Sequence, residues 1–255
     1  MALVAIFAQV LPLASPTGSE LGSRLRPPSL DGPNPLGTDQ LGRDLLSRIV
    51  YGARVSLLVG FTTVVIAGAL GVTFGLAAGY FGGWVDHVVM RVVDVLLAFP
   101  FLVLAIALVA VLRPSLTTVI VVLSAWGWVV YCRLVRASTL GLREREFVAA
   151  ARVIGASDAR ILIRHILPNI VPTVLVVATF QVAQMMVAES ALSFLGLGVA
   201  PPTPSWGSII GDGRQYVSSA WWLTTLPGAA LTLSVIGVGF FGDWLRDVLD
   251  PRLKV

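Results

Sequence analysis

Long apolar runs alternate with short polar ones along most of the chain. Five runs, at about 56–79, 88–112, 117–140, 170–195 and 223–241, suit bilayer-crossing helices, which need roughly 20 mostly apolar residues. Residues 2–13 are apolar as well, but too few to span alone. One polar stretch, Arg143 to Pro168, interrupts this pattern and reads REREFVAAARVIGASDARILIRHILP. On a helical wheel Phe147, Ala151 and Ile154 share a face, with Val148 and Ala150 at its edges. Arg145 and Arg152 fall opposite, with Ala149 between them. The three alanines favour helix and leave a low surface that another protein can approach closely. Gly155 suits a helix C-terminus, Ser157 with Asp158 the start of a second helix, and Pro168 its stop. The stretch therefore reads as two short helices joined at Gly155 and held at a membrane surface.

Taken in order, residues 1–13 read as a first spanning helix whose beginning is absent from this chain. The alternative, a signal peptide, lacks its basic region because no Lys or Arg precedes Arg24. Residues 14–55 form an external loop rich in Pro, Gly and Ser, with Thr38 as a helix cap and Asp39 in the first turn. Leu41, Leu45, Ile49 and Ala53 recur at helical spacing. They suit either an amphipathic helix at the membrane interface or a lead-in to the next span. Residues 56–255 form the core domain.

Within the first full span, Thr63, Ala67, Gly71, Gly75 and Gly79 recur every four residues as a small-residue ridge for close helix packing. Its partner is a helix of this subunit or of a second one. Gly82 and Gly83 turn the chain. Arg91 and Asp94, one turn apart, suit an interfacial pair, and Arg133 and Arg136 suit snorkelling to the interface. Glu189 lies in a span; it suits either a cationic group of a cargo molecule or hydrogen bonds from Ser190 and Ser193. Residues 196–223 read as an external loop, and 243–255 as a short charged tail.

Charge settles orientation. Between Arg133 and His165 there are seven arginines against Glu144, Glu146 and Asp158, so the positive-inside rule puts residues 143–168 in the cytoplasm, and the C-terminus with them. Hydrophobic residues make up 56% and charged ones 13%, which excludes an ordinary soluble domain. The net charge of +4 is too modest and too local to argue for nucleic acid. One cysteine, Cys132, excludes an intrachain disulfide, and with two histidines there is no structural zinc set. Lys254 is the only lysine, so no phosphate-binding GxxxxGK[ST] loop exists here.

The polar stretch resembles the cytoplasmic signature of ABC-importer permease subunits, Glu-Ala-Ala, three residues, Gly, then nine residues before Ile-x-Leu-Pro. It falls on Ala149, Ala150, Ala151, Gly155, His165, Leu167 and Pro168, with Ala149 in place of Glu and His165 in place of Ile. Three further segments resemble the peptide-importer branch: Gly37 to Asp44 (GTDQLGRD), Ala188 to Gly198 (AESALSFLGLG) and Pro201 to Gly207 (PPTPSWG). The resemblance covers nearly everything from about Pro35 onward.

It implies an all-α, polytopic helical bundle of the type I ABC importer permease kind, with six transmembrane helices, the first incomplete. The location implied is the bacterial cytoplasmic (inner) membrane. The partners implied are a second permease, two ATPase subunits that bind ATP and Mg, an extracytoplasmic substrate-binding protein, and lipid. The coupling residues would be Glu146, Phe147, Val148, Ala149, Ala150, Ala151, Arg152, Ile154, Gly155, Ala156, Ser157 and Pro168. Glu189 is the candidate of the substrate pathway, and Gly71, Gly75 and Gly79 those of helix packing. Cargo would be a di- or oligopeptide; nickel, glutathione and other small-solute importers share the branch. A non-transporting membrane assembly subunit is the rival from another class. No nucleophile with a base, paired carboxylates or channel filter is visible in the sequence.

Overall fold

The structure, a computed structural model, describes residues 12–29 and 31–249. The incomplete first helix expected at 1–13 lies almost wholly outside the described residues. Nine α-helices are labelled here: α1 Leu45–Phe81, α2 Gly83–Ala98, α3 Phe101–Leu112, α4 Leu116–Arg143, α5 Glu146–Val153, α6 Asp158–Ile161, α7 Leu167–Phe194, α8 Trp206–Gly213 and α9 Trp222–Leu249. A five-residue π turn, Leu162–Ile166, joins α6 to α7. No strand occurs among the described residues; one isolated bridge pairs Thr38 with Asp44.

α1 runs 37 residues without a break, roughly 55 Å of helix against a hydrocarbon core of about 30 Å. Of the two readings of this segment, the lead-in to the next span fits and a separate interfacial helix does not: Leu45, Ile49 and Ala53 form the first turns of α1 and are buried in this chain. Its cap is Asp44 rather than Thr38, because Asp44 Oδ2 accepts from the amide of Ser47 at 2.7 Å. The run at 88–112 is not one straight helix. α2 and α3 meet at a bend of 92° where Pro100, lacking an amide hydrogen, disfavours helix at Phe99 before it. Gly82 and Gly83, with φ of 64° and 51°, make the turn before α2.

Pro168 does not stop a helix. It lies in the first turn of α7, after a π turn in which the amide of Leu167 bonds to the carbonyl of Leu162. In a wider turn its ring and missing donor are accommodated. The region 196–223 is more than loop: Ser205 and Ser208 form a capping box for α8, whose Trp206 is fully buried. α9 continues to Leu249, so Asp243 to Leu249 are helical rather than tail. Among the described residues four helices, counting Asp158–Phe194 as one, are long and apolar enough to cross a membrane, or five if the bent α2–α3 pair is one span. Large apolar side chains such as Phe61 and Phe240 stay exposed on them, as helices facing lipid require.

Two compact units divide the chain. One takes in the described residues up to Thr62, with Ala105–Leu123 and Val182–Gly237. Its core gathers Leu45, Ile49, Met186, Trp206, Trp222 and Leu223. The other takes in Thr63–Leu104, Ser124–Gln181 and the described residues from Val238 onward. Its core gathers Tyr80, Val135, Val148, Ala151, Ile161, Ile166 and Ile170.

In the second unit the small-residue ridge of α1 packs against α4 of the same chain. A Cβ on Gly75 would lie 2.7 Å from the Cys132 carbonyl oxygen and 2.8 Å from Val135 Cβ, and one on Gly79 2.7 Å from Thr139 Cβ. Gly71 meets Tyr131 and the backbone of Trp128 and Cys132 just as closely. Arg136 forms a two-pronged ion pair with Asp86 of α2, one prong 2.6 Å between Nη2 and Oδ2. Arg91 and Asp94 form no such pair; the acid that finds a partner is one turn or more earlier.

Candidate functional site

The connector between α4 and α7 is built as two short helices about Gly155. Gly155 has φ +79°, the left-handed conformation that glycine adopts without strain, and its amide closes α5 by bonding to the Arg152 carbonyl at 3.0 Å. Two residues on, Ser157 caps α6 by accepting from the amide of Arg160.

The apolar face read from the wheel is split in the structure. Val148 and Ala151 are buried and pack with Tyr80, Ile161 and Ile166. Phe147, Ala149, Ala150, Val153 and Ile154 are exposed, with Val153 87% and Ile154 83% accessible. Ala151 therefore belongs to the attachment side. The outer apolar face is Phe147, Ala150 and Ile154, at spacings of three and four, enlarged by Val153. Val153 and Ile154 thus leave two branched apolar side chains exposed together at the end of the helix. Glu146 begins α5 and Ala156 packs partly against the core. Arg145 is exposed; the guanidinium carbon of Arg152 sits 5.5 Å from the centre of the Tyr80 ring.

The three other segments that resemble the peptide branch meet in the first unit. Trp222 Nε1 donates to the Thr38 carbonyl at 3.2 Å, and Trp206 Nε1 to the Ile49 carbonyl at 2.9 Å. Gly207 lies against the backbone of Ser190 so closely that any Cβ would collide. Asp39 Oδ2 accepts from Arg43 Nε at 2.5 Å and lies 3.2 Å from Arg48 Nη1. Asp212 of α8 faces the same two guanidiniums at 3.4 and 3.2 Å. Two buried cations are thus balanced by two carboxylates, the condition for holding them away from water. This network was not legible beforehand, because Asp212 stands 164 positions from Arg48.

Glu189 is fully buried. Its Oε1 accepts from Ser193 Oγ at 2.6 Å, and its Oε2 from Ser56 Oγ at 2.9 Å and Ser190 Oγ at 3.4 Å. The neighbours Ser190 and Ser193 are among these donors, and Ser56 of α1 adds a third from across the fold. The carboxylate faces hydroxyls rather than a cation. No group of three potential metal ligands occurs among the described residues.

The long apolar helices and the exposed two-helix connector between α4 and α7 define a polytopic helical membrane protein. Residues 71–255 match the family described as binding-protein-dependent transport system inner membrane component. The dipeptide transport system permease protein DppC of Alkalihalophilus pseudofirmus is 44% identical over 252 residues, covering 99% of this chain and 82% of that protein. The glutathione transport system permease protein GsiD of Pectobacterium atrosepticum is 42% identical over 219 residues, covering 86% and 73%. In fold the chain matches a solved inward-facing MetNI methionine ABC transporter, with TM-score 0.65, 20% identity, and coverage of 80% of this chain and 96% of that one. The chain belongs to the family of binding-protein-dependent transport system inner membrane components. It is an integral inner-membrane protein of the ABC importer permease fold, and not itself a catalyst.

Proposed function

We propose that this chain forms, with a second permease, the transmembrane pathway of an ATP-driven importer of di- or oligopeptides. Two ATPase subunits bind ATP and Mg on the cytoplasmic side, where residues 143–168 and the C-terminus lie, and an extracytoplasmic binding protein delivers cargo. The observation that carries the reading is the exposed apolar face of α5, Phe147, Ala150, Val153 and Ile154, on a helix whose other side is anchored by Val148 and Ala151. Such a face suits a groove in a partner, as in other helix-in-groove contacts.

Burial of Val153 and Ile154 would contribute about 1.5–3 kcal/mol each, against about 0–1 kcal/mol for an exposed ion pair made by Arg145. Apolar docking therefore dominates. ATP-driven closure of the ATPase pair displaces α5, and the attached helices shift between inward-open and outward-open states. Cargo and nucleotide bias that equilibrium only through unequal affinity for the two states.

The test is ATP-dependent dipeptide uptake into vesicles containing this chain with its permease, ATPase and binding-protein partners. Normal assembly without uptake would favour a non-transporting assembly subunit. Glutathione is a specific second cargo reading, favoured by the 42% identity to a glutathione permease; nickel or another small solute is a weaker one. Binding measurements on the extracytoplasmic partner separate these cargos.

A further inference from the structure

The last turn of α1 is held from both ends of the connector. Arg143, the final residue of α4, donates from Nη1 to the carbonyl oxygens of Gly79 and Tyr80 at 3.3 and 3.2 Å. These are carbonyls that the end of a helix leaves without an amide partner, and a cation there also opposes the helix dipole. From beyond the Gly155 turn, Asp158 Oδ1 accepts from the Tyr80 hydroxyl at 2.7 Å. From before the turn, Arg152 of α5 lies over the face of the same ring, 5.5 Å from its centre. The ring itself is buried among Val148, Ala151 and Ile161.

One side chain thus touches α5 through Arg152 and α6 through Asp158 while belonging to neither. The turn between those helices is held by its own backbone hydrogen bonds, but nothing packs over Gly155, where no atom lies within 4 Å of a would-be Cβ. A push on α5 would be absorbed by hinging at that glycine unless the two helices were tied to a common point. We propose that Tyr80 is a positioning residue, a clamp that fixes α5 and α6 to the end of α1, so that displacement of the Phe147–Ile154 face is passed into α1. The proposal rests on the coupling role given above to that face. It assigns a function to the Tyr80 hydroxyl that neither packing nor membrane insertion requires: a phenyl ring would fill the same space and keep the Arg152 contact, yet would lose the directional bond to Asp158 and leave α6 held by the packing of Ile161 alone.

The test uses the assembled complex of this chain, its permease partner, the ATPases and the binding protein. Spin labels at Arg145→Cys and Ile163→Cys, both exposed positions, flank the Gly155 turn and report its angle without any need for cargo. The distance distribution is expected to be narrow in the otherwise native chain and broad with Tyr80→Phe. In vesicles, uptake of radiolabelled alanyl-alanine per ATP hydrolysed is expected to fall about three- to tenfold with Tyr80→Phe, the range for net loss of one ordinary intramolecular hydrogen bond. Asp158→Ala should do the same, and the two together should do little more than either, because they remove one interaction.

Equally narrow distributions overturn the clamp, as do losses that multiply in the double variant. Asp158→Ala leaves the ring intact and gives the same reading if Tyr80→Phe accumulates poorly. Phe147→Asp separates this failure from failure of the docking role. If it releases the ATPase while Tyr80→Phe changes nothing, docking stands and the clamp falls; if it assembles and transports normally, the docking role itself falls.

Discussion

Ser56 of α1 donates a 2.9 Å hydrogen bond to the carboxylate of Glu189 on α7, a fully buried acid with no ion-pair partner among the described residues. Three serine hydroxyls supply its donors. A buried carboxyl group is tolerated where its oxygens find hydrogen-bond partners.

Glu189→Gln should therefore leave both thermal stability and uptake within about twofold, since an amide can accept from one serine and donate to another. Glu189→Leu should lower stability by about 1–3 kcal/mol by orphaning the hydroxyls. Thermal unfolding of the purified complex measures both. If Glu189 instead held a cationic group of the cargo, the Gln variant would fold normally and lose uptake.

The glycines of α1 should divide sharply. Gly71→Ala and Gly79→Ala drive a methyl into the backbone or Cβ atoms of α4 and should cost about 1–3 kcal/mol by overpacking. At Gly68 the nearest atoms are 3.9 Å away, on the Tyr131 ring, so Gly68→Ala should be neutral or slightly stabilising through helix propensity. Comparing melting temperatures in one detergent decides between this ranking and a uniform loss.

Gly155 should tolerate substitution in space but not in backbone. With φ +79° and open surroundings, Gly155→Ala should cost about 1 kcal/mol. Gly155→Pro cannot reach that φ, and should uncouple ATP hydrolysis from uptake while the chain still inserts. Ala150→Asp, which places charge on the outer face of α5, should uncouple in the same way. Uptake at wild-type level in these variants would remove the coupling role of the connector.

The Arg136–Asp86 pair joins α4 to α2 and is partly exposed at both ends. Arg136→Met leaves an unpartnered carboxylate and should cost about 1–2 kcal/mol, below the figure for a fully buried pair. Adding Asp86→Leu should recover most of it. A double variant as unstable as the sum of the singles would show that the two charges do not interact.

What the sequence determined by itself was everything that depends on neighbouring residues. Apolar runs of bilayer length, the polar interruption at 143–168, the glycine between two short helices and the Ser157 cap are all written within a few positions of one another. Hydrophobicity and φ preference act locally, so they survive without a structure. The same locality explains the errors. A proline in a helical pattern reads as a stop, yet at Pro168 a π turn admits it, and the wheel grouped Ala151 with Phe147 and Ile154 because it could not know which side the core would take.

Only the tertiary structure decided partners. Ser56 lies 133 positions from Glu189, Tyr80 78 from Asp158, and Arg136 50 from Asp86. A hydroxyl or a guanidinium carries no mark of which acid it will meet. Whether the glycine ridge would face its own subunit or another was likewise fixed by which helix came near, here α4 of the same chain. Polar pairing inside an apolar protein is a property of distance in space, and helices bring together residues that the order of the chain keeps far apart.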